Sequence, residues 1–307
     1  MVKELNLTQT ISGVTFKNPV ATASGTFMAK ESGEFYDIGR LGAVITKGVS
    51  SLPWRGNIPP RIAESYGGML NSVGLQNPGV EHYIKNELAH LREYDVPVIT
   101  NIAGHSIAEY VDVAERLNET DVAMIEMNIS CPNVKEGGIG FGTDAKMAAA
   151  VTRAVRAATK KPLMVKLTPN VTDITEIAKA VEGEGADCIS LINTLHGMRI
   201  DVRQRKAIFA NKTGGLSGAA IKPVALALVY RVRRAVKLPI FGLGGIMTGE
   251  DAMEFIMAGA DMVCVGTAAL VKPTAPVDVL DELEALMREQ GFSCIDDIHD
   301  AFNNSDR

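Results

Sequence analysis

The chain has 307 residues, 46% of them hydrophobic and only 5% aromatic, and a formal charge of −5. That is enough apolar material for a sizeable core, and the negative balance argues against bulk attraction to nucleic acid or to an anionic membrane. No apolar run reaches bilayer length, the polar start MVKELNLTQT lacks a signal-peptide core, and Cys131, Cys188, Cys264 and Cys294 show neither a CxxC pair nor metal-ligand spacing; a reducing cytoplasm and no metal site are expected.

In chain order, NLTQTISGVTFKNPV predicts a β-hairpin turning at Ser12-Gly13 and plugging a barrel floor. Eight short apolar runs follow: PVATAS, AVITKG, PVITNIAG, MIEMNIS, PLMVKLT, CISLINT, PIFGLGG and MVCVGTA. Amphipathic stretches such as SIAEYVDVAERLNE and DITEIAKAVEGEG lie between them. A parallel strand needs a crossover to return, so this alternation predicts a single (β/α)8 TIM barrel over residues 1–307, with a doubly wound open sheet as the runner-up. Two stretches break the rhythm, residues 49–79 after strand two and 195–219 after strand six. Insertions this long in a compact domain are usually lids or binding segments.

Barrel chemistry sits where strands run into the following loops. The strand ends carry Ser24, Lys47, Asn101, Asn128 with Cys131, Lys166, Asn193-Thr194, Gly244-Gly245 and Gly266-Thr267. Each has a structural explanation singly, since Asn and Gly form turns. Two inward lysines are harder to dismiss, because they are costly without anionic partners. The glycine turns ending strands seven and eight suit a phosphate held by backbone N–H groups. GLGG is not a dinucleotide fingerprint, since Met247 stands where a glycine is required. Cys188 and Cys264 fall inside strands and read as core. Cys131 is followed by Pro132 and by KEGGIGFG, which places its thiol toward a glycine-rich lid, where it can act as nucleophile or general base. Lys166 reads either as a Schiff-base nucleophile or as a fixed cation beside a cofactor, and Lys47 shares that ambiguity.

Taken together, NSVGLQNPG, NISCPNVKEGG, VKLTPN, LINTLHGMRID, GGLSGAAIKPVAL and PIFGLGGI resemble the dihydroorotate dehydrogenases, from about Asn18 to Leu270. Cysteine in SCPN is similar to the class 1 form, and CPNVKEGG with NTLHGMRID to the NAD-linked class 1B catalytic subunit. The resemblance implies an FMN enzyme oxidising (S)-dihydroorotate to orotate in pyrimidine synthesis, with Cys131 as the base at C5 and hydride passing from C6 to the flavin. It implies that Lys47, Asn71, Ser72, Val73, Gly74, Leu75, Asn128, Asn193 and Thr194 hold the substrate. It places Ser24, Lys47, Gly48, Asn101, Asn128, Lys166, Ile192 and Gly218 against FMN, with Gly244, Gly245, Gly266 and Thr267 at its phosphate. Electrons are expected to reach NAD through a partner subunit carrying FAD and a [2Fe–2S] cluster, in a heterotetramer built on a catalytic homodimer. Arg55 and Arg61, in the loop GVSSLPWRGNIPPR, receive no role.

Four other readings stay open at this point. The chain could be a homodimer using fumarate, a flavin barrel acting on another reduced pyrimidine, a Schiff-base aldolase or lyase using Lys166, or a silent scaffold. Polar groups crowded at one mouth argue against the last.

Overall fold

A computed structural model describes residues 5–130 and 139–303. Its centre is one parallel sheet of eight strands: β1 (Val20–Thr22), β2 (Val44–Ile45), β3 (Val98–Ile102), β4 (Met124–Asn128), β5 (Leu163–Lys166), β6 (Cys188–Leu191), β7 (Ile240–Leu243) and β8 (Met262–Val265). Neighbours in sequence are neighbours in the sheet, and β8 returns to β1. A parallel bridge between Ala21 and Ala43, with Gly42 N donating to Val20 O at 2.9 Å, joins β1 to the start of β2 and closes the cylinder. The (β/α)8 barrel expected from the sequence is the fold, not the open sheet.

The strands are short because each is buried on both faces and needs only enough length to cross the barrel. Alternation sorts their side chains. Ile125, Met127, Val165 and Ile189 point outward into the helix layer. That layer includes Ile107–Asn118, Ala145–Ala158, Ile174–Gly183, Lys222–Arg233 and Gly249–Met257. Their starts are written in the sequence: Ser106, Asp144, Asp173 and Thr248 each accept a backbone N–H of the first turn.

Inward residues form two layers. The lower is dry: Ile45, Ile99, Met124, Met164, Phe241 and Met262 fill it. The N-terminal hairpin, Gln9–Ile11 with Val14–Phe16, seals it from below by adding Ile11 and Phe16. Ser12 and Gly13 have φ of 51° and 81°, the left-handed pair that a two-residue hairpin turn requires. Phe16 is fully buried and meets Phe241 edge-on at 5.9 Å.

The two long excursions pair with each other. Leu195–Met198, Thr213–Ser217, Gly68–Asn71 and Ile62–Ser65 form one antiparallel four-stranded sheet in that order. Its central seam is packed backbone to backbone: a Cβ on Gly214 would lie 2.5 Å from Asn71 O, and one on Gly68 would lie 2.0 Å from Ser217 O. Close backbone approach is what glycine allows at these two positions.

Phe16→Ala should lower unfolding stability by about 3–5 kcal/mol, the cost of deleting a buried aromatic ring. Urea unfolding of the purified chain checks this; an unchanged midpoint would mean that the hairpin is not part of the floor.

Candidate active site

Above the dry layer, the barrel opens into a cavity of about 1120 Å³, counted out to bulk solvent. From the strand ends, Ser24, Lys47, Asn128 and Lys166 line it, with Ile192, Asn193 and Thr194 after β6. Asn71, Val73, Gly74 and Leu75 enter from the first excursion. Gly218, Gly244, Gly245, Gly266 and Thr267 form the far end. The structure thus brings together most of the residues picked out from the sequence, although they span more than 240 positions of chain.

Three of those residues sit behind the wall. Gly48 and Asn101 lie beneath it, in contact: a Cβ on Gly48 would stand 2.6 Å from Asn101 Oδ1. Ser72 is buried in its loop, where its N–H donates to Arg61 O at 2.7 Å. Cys131 lies outside the described residues. The stretch after it is packed where it resumes: Phe141 is buried edge-on against Tyr110, and a Cβ on Gly142 would meet Ile129 O at 2.1 Å.

The amides are already oriented. Asn128 Oδ1 accepts from Ser130 N at 3.2 Å and from Ser130 Oγ at 2.9 Å, which leaves its N–H side for the cavity. Asn193 donates to Ser130 Oγ at 2.9 Å, and its Oδ1 accepts from Thr194 N at 2.7 Å. Ser130 therefore couples the β4 and β6 walls. The loop after Asn71 carries Gly74 and Leu75 with φ of 74° and 54°. A left-handed leucine is unusual, and here it tucks the side chain against Ala103 and Trp54. Arg61 staples this loop, with Nε donating to Asn57 O at 2.6 Å and Nη2 to Arg55 O at 2.9 Å. Arg61, left without a role by the sequence, thus has a structural one.

The inward lysines differ from expectation in one respect. Lys166, only 4% exposed, has its counter-charge within the protein: Glu126 Oε2 lies 3.8 Å from Nζ. Glu126 is fully buried and went unremarked in MIEMNIS. The signal was present, because a glutamate two residues before Asn128 shares its inward face. Cys264 is core, as read, but also forms part of the cavity floor. Burial first, then the nearby Glu126 carboxylate, pushes the Cys264 thiol well up. Burial does the same to Cys188, with Asp187 and Glu126 adding to it. Neither thiol is suited to take up a proton near neutrality.

At the far end, Gly218, Gly244 and Gly245 have φ of 100°, 130° and 87°. A Cβ on Gly245 would come within 2.9 Å of Gly218 O, so these turns meet with no side chains between them. Thr267 Oγ1 donates to Ser217 Oγ at 2.8 Å beside them.

A sequence profile of the dihydroorotate dehydrogenase family matches residues 6–287. The chain belongs to the dihydroorotate dehydrogenase family. It is 58% identical over 295 residues to a protein of Lachnoclostridium phytofermentans named dihydroorotate dehydrogenase B (NAD(+)), catalytic subunit, covering 96% of this chain and 98% of that one. Proteins of the same name from Alkaliphilus metalliredigens and Alkaliphilus oremlandii are 56% and 58% identical. Those alignments cover 96% and 94% of this chain, and 98% and 95% of the relatives. As a family member the chain is an oxidoreductase.

The residues fit the flavin that the family implies. Asn101 Oδ1 is buried with no hydrogen-bond partner, an acceptor held ready for a ring N–H. The glycine turns at Gly218, Gly244 and Gly245 bring backbone without side chains to the far end of the cavity, as a phosphate site needs. Among the described residues, no group of His, Cys, Asp or Glu is placed to hold a metal ion, and no helix is long and apolar enough to cross a membrane.

Gly48→Ala should push Asn101 aside and weaken FMN uptake by the apoprotein by roughly tenfold, about the cost of one unmade buried hydrogen bond. Fluorescence quenching of free FMN measures this; wild-type affinity would show that Asn101 does not contact the flavin.

Proposed function

We propose that this chain is the catalytic subunit of an NAD-linked dihydroorotate dehydrogenase of the cytoplasm. The observation that carries this reading is the convergence of two lysines, three asparagine amides and a bare glycine cradle in one barrel mouth. Orotate and dihydroorotate are anions rimmed by N–H and C=O groups, and amides can pair with both. The relatives' name, with its NAD(+) and its "catalytic subunit", supports the acceptor and the need for a second chain.

FMN, held by these residues, would supply the redox chemistry by accepting the hydride from C6 of dihydroorotate. Cys131 removes the proton from C5 as a thiolate base, and the C5–C6 bond becomes double. Lys47 supplies positive charge where negative charge grows during the transfer, and Lys166 contacts the flavin. Asn71, Asn128, Asn193 and Thr194 hold the pyrimidine and its carboxylate, with Ser72 setting the loop between them. Asn193 has both ends of its amide engaged within the protein, so it positions Thr194 and Ser130 as well as the substrate. The glycine turns at Gly218, Gly244, Gly245 and Gly266, with Thr267, take the FMN phosphate, while Ser24, Gly48, Asn101 and Ile192 contact its ring system and chain. A partner subunit bearing FAD and a [2Fe–2S] cluster, in a heterotetramer around a catalytic dimer, would supply the outlet for the two electrons.

An anaerobic absorbance titration of the FMN-loaded chain with dihydroorotate tests the reaction: bleaching is expected, and a flavin that stays oxidised would discard this substrate. Cys131→Ala should keep FMN and slow its reduction by dihydroorotate by roughly 100-fold or more, the usual contribution of a general base. Cys131→Ser should retain weak activity near neutrality. Stopped-flow absorbance separates these outcomes, and wild-type reduction in the alanine variant would remove Cys131 as the base.

A further inference from the structure

Inward residues of β3 to β6 place a polar cluster between the dry floor and the cavity. Glu126 Oε1 accepts from Ser190 Oγ at 2.7 Å, and Oε2 accepts from Asn101 Nδ2 at 2.5 Å. Lys166 Nζ stands 3.8 Å from Oε2. Glu126, Asn101 and Ser190 are 0% exposed and Lys166 is 4% exposed, so no solvent shields the arrangement. Below lie only Met124, Met164, Cys188 and their neighbours. A lone carboxylate on such a floor is costly, and so is a lone ammonium above it. Each is tolerable because of the other.

Two consequences concern the cavity. Both Glu126 oxygens accept, so the Asn101 amide must turn its N–H₂ toward Glu126 and its Oδ1 away. That leaves Oδ1 the atom without a protein partner. Lys166, which lines the cavity, also presents its ammonium with a negative charge directly behind it. A cation above a buried anion favours added electrons in the cavity less than the same cation alone.

We propose that Glu126 is a positioning residue of the flavin site, fixing the Asn101 amide and offsetting the Lys166 charge so that a neutral pair sets the reduction potential of bound FMN. This rests on the flavin reading above. Glu126 touches neither cofactor nor substrate; it acts through Lys166 and Asn101.

The test is an anaerobic potentiometric titration of the full chain loaded with FMN, reduced with dithionite against a reference dye. Dithionite needs no substrate, so the result does not depend on which pyrimidine is oxidised. In Glu126→Gln, Lys166 loses its counter-charge and the ratio of reduced to oxidised flavin should rise roughly tenfold, a shift of about 30 mV upward for a two-electron couple. An unchanged potential would reduce Glu126 to a packing role. If that variant does not fold, Glu126→Gln with Lys166→Met decides, because removing both members of a buried ion pair is often tolerated. The double variant should hold FMN at a potential within roughly threefold of the wild-type ratio, as expected if the two charges cancel to within one ordinary hydrogen bond. Measured at saturating FMN, a tenfold fall would show that Glu126 does not offset Lys166 and would overturn the proposal. Wild-type chain that takes up no FMN would defeat the flavin reading itself.

Discussion

One carboxylate, sealed from bulk solvent, dictates much of what surrounds it. Glu126 accepts from β3 and β6 and faces the ammonium of β5, so four consecutive strands share one electrostatic centre. Burying a charge is unfavourable in itself, and only well-directed donors make it stable. The strands must therefore hold a register that brings Asn101, Lys166 and Ser190 to the same level. In that register Asn101 stands opposite Glu126, Ser190 opposite Lys166, and Lys166 opposite Asn128, two residues beyond Glu126 on the same inward face. The dry floor beneath keeps that level sharp, with the N-terminal hairpin excluding water from the other side.

Above this level the chemistry changes from supporting to receiving. Amides whose one end is satisfied by the protein leave the other for a ligand, as in Asn101 and Asn128. The wall is thus oriented before anything binds, which lowers the cost of ordering it later. The glycine turns at the far end do the opposite. They present bare backbone and leave the bulk to the ligand.

Much of this was legible in the residues. Apolar runs alternating with amphipathic stretches pointed to the barrel, with the doubly wound open sheet as the other fold that pattern allows. Polar groups at strand ends located the mouth, since there the chain passes from core to loop. What sequence did not disclose were contacts set by the third dimension. Lys166 looked like a cation awaiting an anionic ligand, and only the barrel shows Glu126 beside it. GGLSG was read only as part of a long excursion, yet its first glycine serves a seam with Gly68–Asn71, far away in the chain. Ser72 and Arg61 lay in a loop whose internal bonding no periodicity reports. The family motifs picked out residues that line the cavity, but not Ser130, which orients two of its amides.

The seam between the two excursions has a bearing on how the enzyme is made. The loop that begins at Asn71 is paired through Gly68–Asn71 with Thr213–Ser217, and Leu195–Met198 completes the sheet. A ribosome emits the chain from its N-terminus, so the first excursion waits for about 140 further residues, the span from Asn71 to Gly215, before its partner strand exists. Until then a nascent barrel has strands and floor but an unfinished mouth. Competence for the ligand therefore arrives late and all at once, and a chain truncated before residue 213 lacks not only its last strands but the support of its first binding loop.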